Sequence, residues 1–175
     1  AHVEQDTEDN TSWNMTINLD ALVEDGKVTE QWKATLIHEF AHVLTLNKNQ
    51  MRYYPQTENT TLLERFAENC TTNVLQEWCL NETAYLDDFI DTFWSDIEYL
   101  EQVRNEEINA YEDTPDSFIT DYAATNPWED IAESFTYFVL RAKPEWNTIA
   151  DKKLQFFYNY PELETLRKQV RSRIQ

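Results

Sequence analysis

His38 and His42 stand four residues apart in the apolar stretch Leu36-Ile37-His38-Glu39-Phe40-Ala41-His42-Val43-Leu44, and they are two of only three histidines in 175 residues. On an α-helix, positions four apart lie above one another on one face, so both imidazoles can offer a nitrogen to a single metal ion. Glu39 then falls beside that ion. Its carboxylate can take a proton from a water molecule activated there, which makes the H-E-x-x-H spacing a zinc-hydrolase pattern. Trp32, Leu36, Ile37, Phe40, Val43, Leu44 and Leu46 make most of the segment apolar and hence buried. Buried histidines need partners.

A catalytic zinc takes a third protein ligand and leaves a position open. A third histidine in the extended pattern would need glycine at position 45 and histidine at position 48, where the chain has Thr45 and Lys48. His2 lies at the start of the chain, where fraying is the expectation. That leaves a carboxylate, among thirty-three Asp and Glu.

The stretch from Thr120 to Phe135 narrows the choice. Asn126 is a good N-cap, Pro127 suits the first helical position, and Glu129 and Asp130 complement the positive end of the helix that follows. Ile131, Ala132, Phe135, Phe138 and Val139 continue an apolar stripe. Glu129 and Glu133 are again four apart, and a carboxylate pair beside a core stripe is costly unless a cation or hydrogen-bond donors meet it.

H-E-F-A-H followed by Tyr122-x-x-Thr125-Asn126-x-x-Glu129-x-x-Ala132-Glu133-x-Phe135 resembles the gluzincin metallopeptidases, most closely the branch that contains the catalytic domain of anthrax lethal factor. The likeness covers about thirty residues on two helices and the turn before the second. It implies a single catalytic Zn2+ held by His38, His42 and Glu129, with Glu39 as general base and acid and Tyr122 donating to the oxyanion. Glu133 would orient a ligating histidine, a place where many relatives of thermolysin have Asp. The fold implied is a zincin-like α+β domain, predominantly helical, with a small N-terminal sheet, the active-site helix and a C-terminal helical part. The reaction implied is peptide-bond hydrolysis on a peptide or protein substrate. Two other classes remain beside it: a catalytically silent or latent zinc-binding interaction domain, and a zinc hydrolase acting on a non-peptide substrate.

A net charge of −19 offers no basic stripe to nucleic acid, and no run of about twenty apolar residues spans a membrane. Cys70 and Cys79 enclose a short loop, so a disulfide between them is expected. With five N-x-S/T sequons, at Asn10, Asn14, Asn59, Asn69 and Asn81, this favours a secreted or extracytoplasmic setting. The basic residues Arg167, Lys168, Arg171 and Arg173 read as the solvated face of a last helix.

Residues 1–175 read as one domain and a monomer. Only thirty-seven residues precede His38, room for one or two strands, so the sheet is reduced or the chain begins part-way into a longer precursor. Met15 to Leu19 alternates as a strand, and residues 14–19 are the expected edge strand for the substrate backbone, followed by a turn at Glu24-Asp25-Gly26. Thr29 should cap the active-site helix, which runs to about Leu46. Asn47 to Asn59 reads as loop, and a helix begins at Leu62. Leu86 to Val103 reads as one long amphipathic helix with Asp87, Asp91, Asp96 and Glu101 on its wet face. A break at Pro144 and two final helices divided near Pro161 complete the order. Trp32 and Trp128, on the two site helices, could line subsites, although core packing is the more frequent use of such residues.

Overall fold

A computed structural model of the chain describes residues 1–5, 12–18, 23–24, 27–53, 60–75, 78–95, 110–145 and 147–174. Helices dominate these residues and short antiparallel strands accompany them, a predominantly helical α+β arrangement. Strand β1 (His2–Gln5) pairs with β2 (Trp13–Thr16), and β3 (Val23–Glu24) pairs with β4 (Lys27–Val28). His2 is therefore held in a ladder opposite Thr16 and is not frayed. The strand expected at 14–19 lies slightly earlier, and Leu19 falls outside the described residues, as do Asp25 and Gly26 between β3 and β4.

Helix α1 (Glu30–Leu46) starts where expected, because the Thr29 side chain accepts the Trp32 N–H at 3.2 Å. It stops at Asn47, whose Nδ2 donates back to the carbonyls of Val43 and Leu44 at 2.9 and 3.0 Å. Its buried side carries Ile37, His38, Glu39, Ala41, His42, Thr45 and Leu46. The next stretch is not all loop. Met51–Tyr53 forms β5, which pairs with β7 (Trp78–Leu80), and β6 (Val74–Leu75) pairs with the other side of β7. Three residues are too few to show an alternation, and Met51 becomes strand because it is buried opposite Leu80.

Helix α2 (Thr60–Glu68) ends just before Cys70, which is joined to Cys79 on β7. The sequence separation is 9, and cross-linking so short a loop is worth about 2–3 kcal/mol in the chain-entropy account. A Cys70→Ser/Cys79→Ser variant is therefore expected to lose about that much stability in a denaturant titration. An unchanged midpoint would show that the β5–β7–β6 sheet holds without its staple.

Helix α3 (Tyr85–Phe93) is shorter than the periodicity from Leu86 to Val103 predicts. Trp94 leaves the helical conformation, at φ −130° and ψ 24°, and its indole Nε1 donates to Asp130 at 2.8 Å. A buried partner from a distant segment overrides the local pattern. Residues 96–109 are outside the described part. Asp87 is not on a wet face either, since it is buried and accepts both the backbone N–H and the Nδ2 of Asn73 at 2.8 Å.

After a single turn, α4 (Ala110–Asp113), the chain reaches helix α5 (Pro127–Leu140), which packs against α1. Asn126 caps it by accepting the Glu129 N–H at 2.8 Å, with Pro127 in the first turn. Helices α6 (Ile149–Phe156) and α7 (Pro161–Ile174) close the core, where Phe135 meets Phe157 and Phe89 meets Phe156 edge to face. The C-terminal basic residues are not simply a solvated face. Arg167 Nε donates to Phe138 O at 2.6 Å, and Arg171 Nη1 donates to Val139 O and Leu140 O at 2.7 and 2.9 Å. These are the carbonyls that the end of α5 leaves without intrahelical partners, at its negative pole.

Asp130 does more than complement a helix dipole. It is 0% exposed and lies 2.6 Å from the Nζ of Lys153, itself 1% exposed and set over the Phe118 ring. Lys153→Met strands the carboxylate without its cation, with an expected loss of about 3–5 kcal/mol by chemical denaturation. That deficit shrinks on acidification, because burial raises the Asp130 pKa to about 6 against the pull of Lys153, and the protonated acid needs no cation. Stability regained in an Asp130→Asn/Lys153→Met double variant checks the assignment.

Candidate metal centre

Helix α1 presents His38, Glu39 and His42 towards the first turns of α5, and all three residues are buried. The Nε2 atoms of His38 and His42 are 3.0 Å apart, and Glu129 Oε2 lies 3.1 and 3.2 Å from them. Three donor atoms from two helices thus form a nearly equilateral triangle. Ligand atoms bound tetrahedrally to one zinc at about 2.0–2.1 Å are about 3.3 Å apart, so the triangle is of the right size.

The hydrogen-bond inventory supports the same fit. Glu129 Oε2 is buried and, among the described residues, no donor N–H is directed at it, although both imidazoles are close. A carboxylate oxygen removed from water without a donor is the kind of orphan a cation satisfies. His38 Nδ1 is 2.8 Å from Glu133 Oε1, and a carboxylate only accepts, so a proton lies on Nδ1, and Nε2 is the nitrogen whose lone pair a metal in the triangle would take in exchange for a proton. Helical spacing from Glu129 to Glu133 therefore separates two roles for two carboxylates, the first at the donor triangle and the second behind His38.

The charges agree. Burial pulls the His38 pKa down, but the carboxylates of Glu129 and Glu133 outweigh it and raise it to about 9. Burial raises Glu129, yet the two imidazoles hold it at about 2. Before any metal binds, a proton on His38 is the local cation.

Tyr122 sits in a 3-10 turn (Tyr122–Thr125) directly before α5, with its ring centroid 5.7 Å from that of His38. Half of it is exposed. Burial of the rest, and then the charges of Glu129, Glu39 and Glu133, push its phenol up to about 12, so it stays a hydrogen-bond donor at neutral pH.

The triangle opens onto a cavity of about 520 Å³, also lined by Glu39 and Tyr122. Trp128 is on its wall as expected, whereas Trp32 is not among the lining residues. Trp13 from β2 and Trp78 from β7 take its place. Neither carried a sequence signal, because their strands are four and three residues long and come together only in the fold. The strand along the cavity is β1, through His2, Val3 and Glu4; of the expected 14–19 segment nothing described lines it, and β2 contributes Trp13 alone. His2 reaches the cavity but not the donor triangle.

Thr120 was also not singled out by sequence. Its Oγ1 donates to Glu133 Oε2 at 2.8 Å, and its position two residues before Tyr122 was the only hint.

Compared with family models, curated proteins and solved structures, the chain matches none.

Proposed function

We propose that this chain is a zinc-dependent peptidase of the gluzincin type. The observation that carries the reading is the convergence of His38 Nε2, His42 Nε2 and Glu129 Oε2, the last a buried oxygen that lacks a donor among the described residues, beside Glu39 in an open cavity. His38, His42 and Glu129 would hold the ion, and zinc bound there supplies Lewis acidity that polarises a peptide carbonyl and makes water acidic. Glu39 takes the proton of the attacking water and delivers it to the leaving amine. Tyr122, protonated at neutral pH, donates to the oxygen that gains charge as the carbonyl becomes tetrahedral. Glu133 keeps the His38 proton on Nδ1 and the ring in place.

The walls made by Trp13, Trp78 and Trp128 favour an extended peptide with an apolar side chain near the scissile bond. The Cys70–Cys79 bond supports an oxidising, extracytoplasmic setting. Among the described residues no helix is long and apolar enough to cross a membrane.

The test is mass-spectrometric product analysis of a diverse unstructured peptide mixture incubated with protein carrying one zinc per chain, and with the same protein after chelation. Cleavage that disappears on chelation and returns with zinc supports the reading. A protein that holds zinc and cleaves nothing returns it to a zinc-binding module or to a hydrolase of other bonds.

A further inference from the structure

Two hydrogen bonds from different parts of the chain meet on the Thr120 hydroxyl. It donates to Glu133 Oε2 at 2.8 Å and accepts the Ala123 N–H at 3.0 Å. A hydroxyl has one hydrogen, so giving it to Glu133 leaves the oxygen free to receive the amide. The other oxygen of Glu133 is 2.8 Å from His38 Nδ1. An unbroken chain of hydrogen bonds therefore runs from the backbone of the 3-10 turn that carries Tyr122, through Thr120 and Glu133, to the His38 imidazole.

Each link is needed where it stands. Ala123 is 0% exposed, so its N–H cannot turn to water if the hydroxyl is removed. Glu133 is mostly buried, and among the described residues Thr120 is the one donor to its second oxygen. Without that bond the carboxylate is free to rotate about its last torsion, and the constraint on His38 weakens. The same loss releases the turn beside it, one residue from Tyr122.

We propose that Thr120 is a positioning residue, whose single hydroxyl sets the orientation of the metal ligand His38 and the placement of the Tyr122 turn together. This rests on the metal-centre part of the proposed function and not on the identity of the substrate.

Zinc affinity, by competition with a chromogenic chelator, is compared for the wild type, Thr120→Val, Thr120→Ser, Glu133→Gln and the Thr120→Val/Glu133→Gln pair, with exchange of the Ala123 amide followed by NMR. Thr120→Val is expected to weaken zinc binding about tenfold, at the lower end for loss of a partner behind a ligand, and Thr120→Ser to stay within about twofold of wild type. The double variant is expected to bind zinc no more weakly than Glu133→Gln alone, since both changes cut one path. Exchange at Ala123 should be about tenfold faster in Thr120→Val and unchanged in Thr120→Ser, in proportion to one lost hydrogen bond. Unaltered zinc affinity in Thr120→Val, additive losses in the double variant, equal losses in the serine variant, or an Ala123 amide indifferent to the valine each overturn the proposal. If the valine variant does not fold, Thr120→Ala replaces it in the same comparison. A wild type that takes up no zinc removes the metal-centre reading itself, a result distinct from zinc uptake that Thr120 does not affect. Failure to cleave peptides bears on the peptidase reading alone.

Discussion

Glu39→Gln is expected to lower the kcat for peptide cleavage by about a hundredfold to ten-thousandfold, the range that a positioned general base contributes, with zinc still bound at one ion per chain. The amide nearly preserves the volume of the carboxylate, so packing around this buried position changes little. What it removes is the ability to accept a proton. His38, His42 and Glu129 form the donor triangle without Glu39, and for that reason metal content and activity separate in this variant. The measurement is single-turnover cleavage of a peptide identified from the mixture, beside metal analysis of the same sample. Equal activity in wild type and variant would remove Glu39 from the chemistry; loss of zinc together with activity would make it a ligand or a structural acid.

The second large effect is on zinc itself. Glu129→Ala is expected to weaken zinc binding by more than about a hundredfold, because losing even a partner behind a ligand costs about 10–100-fold. Glu133→Ala should stay within that lower range, as its carboxylate meets His38 Nδ1 and not the triangle. The two variants thus distinguish carboxylates that the helix places on one face. The pH dependence has a definite sign. In metal-free protein the carboxylates push His38 up to about 9 and the imidazoles hold Glu129 down at about 2, so at neutral pH the ion must displace the His38 proton but none from Glu129. Zinc affinity should therefore rise with pH by about tenfold per unit from the His38 proton alone, and level off above about 9. Calorimetry in buffers of different ionisation enthalpy would count the proton released. Affinity independent of pH, or Glu133→Ala weaker than Glu129→Ala, would overturn the assignment.

Elements whose signals are local were legible before any fold. Thr29 and Asn126 cap the two site helices, and the four-residue spacings of His38 with His42 and Glu129 with Glu133 place each pair along one helical face. The long periodicity after Leu86 misled because a helix pattern in sequence carries no information about a partner such as Asp130, which draws Trp94 out of the helix. The β5–β7–β6 sheet was invisible for a related reason. Its strands are two or three residues each, and burial opposite another strand, not alternation within one, makes them strand.

The chemistry of the site divides along the same line. The sequence by itself determined the residue types, the helices that carry them and the order along the chain, since capping and helical periodicity act over a few residues. Capping and periodicity place Glu129 and Glu133 on one face without telling them apart, and only the motif resemblance implied different roles for them. Only the packing of α5 on α1 decided that Glu129 meets both Nε2 atoms and that Glu133 meets Nδ1, while the fold of the turn before α5 brings Thr120 to the other oxygen of Glu133. Those contacts span up to 95 residues of chain, and which atoms meet at 3 Å depends on how two helices settle against a shared core, which no local pattern encodes.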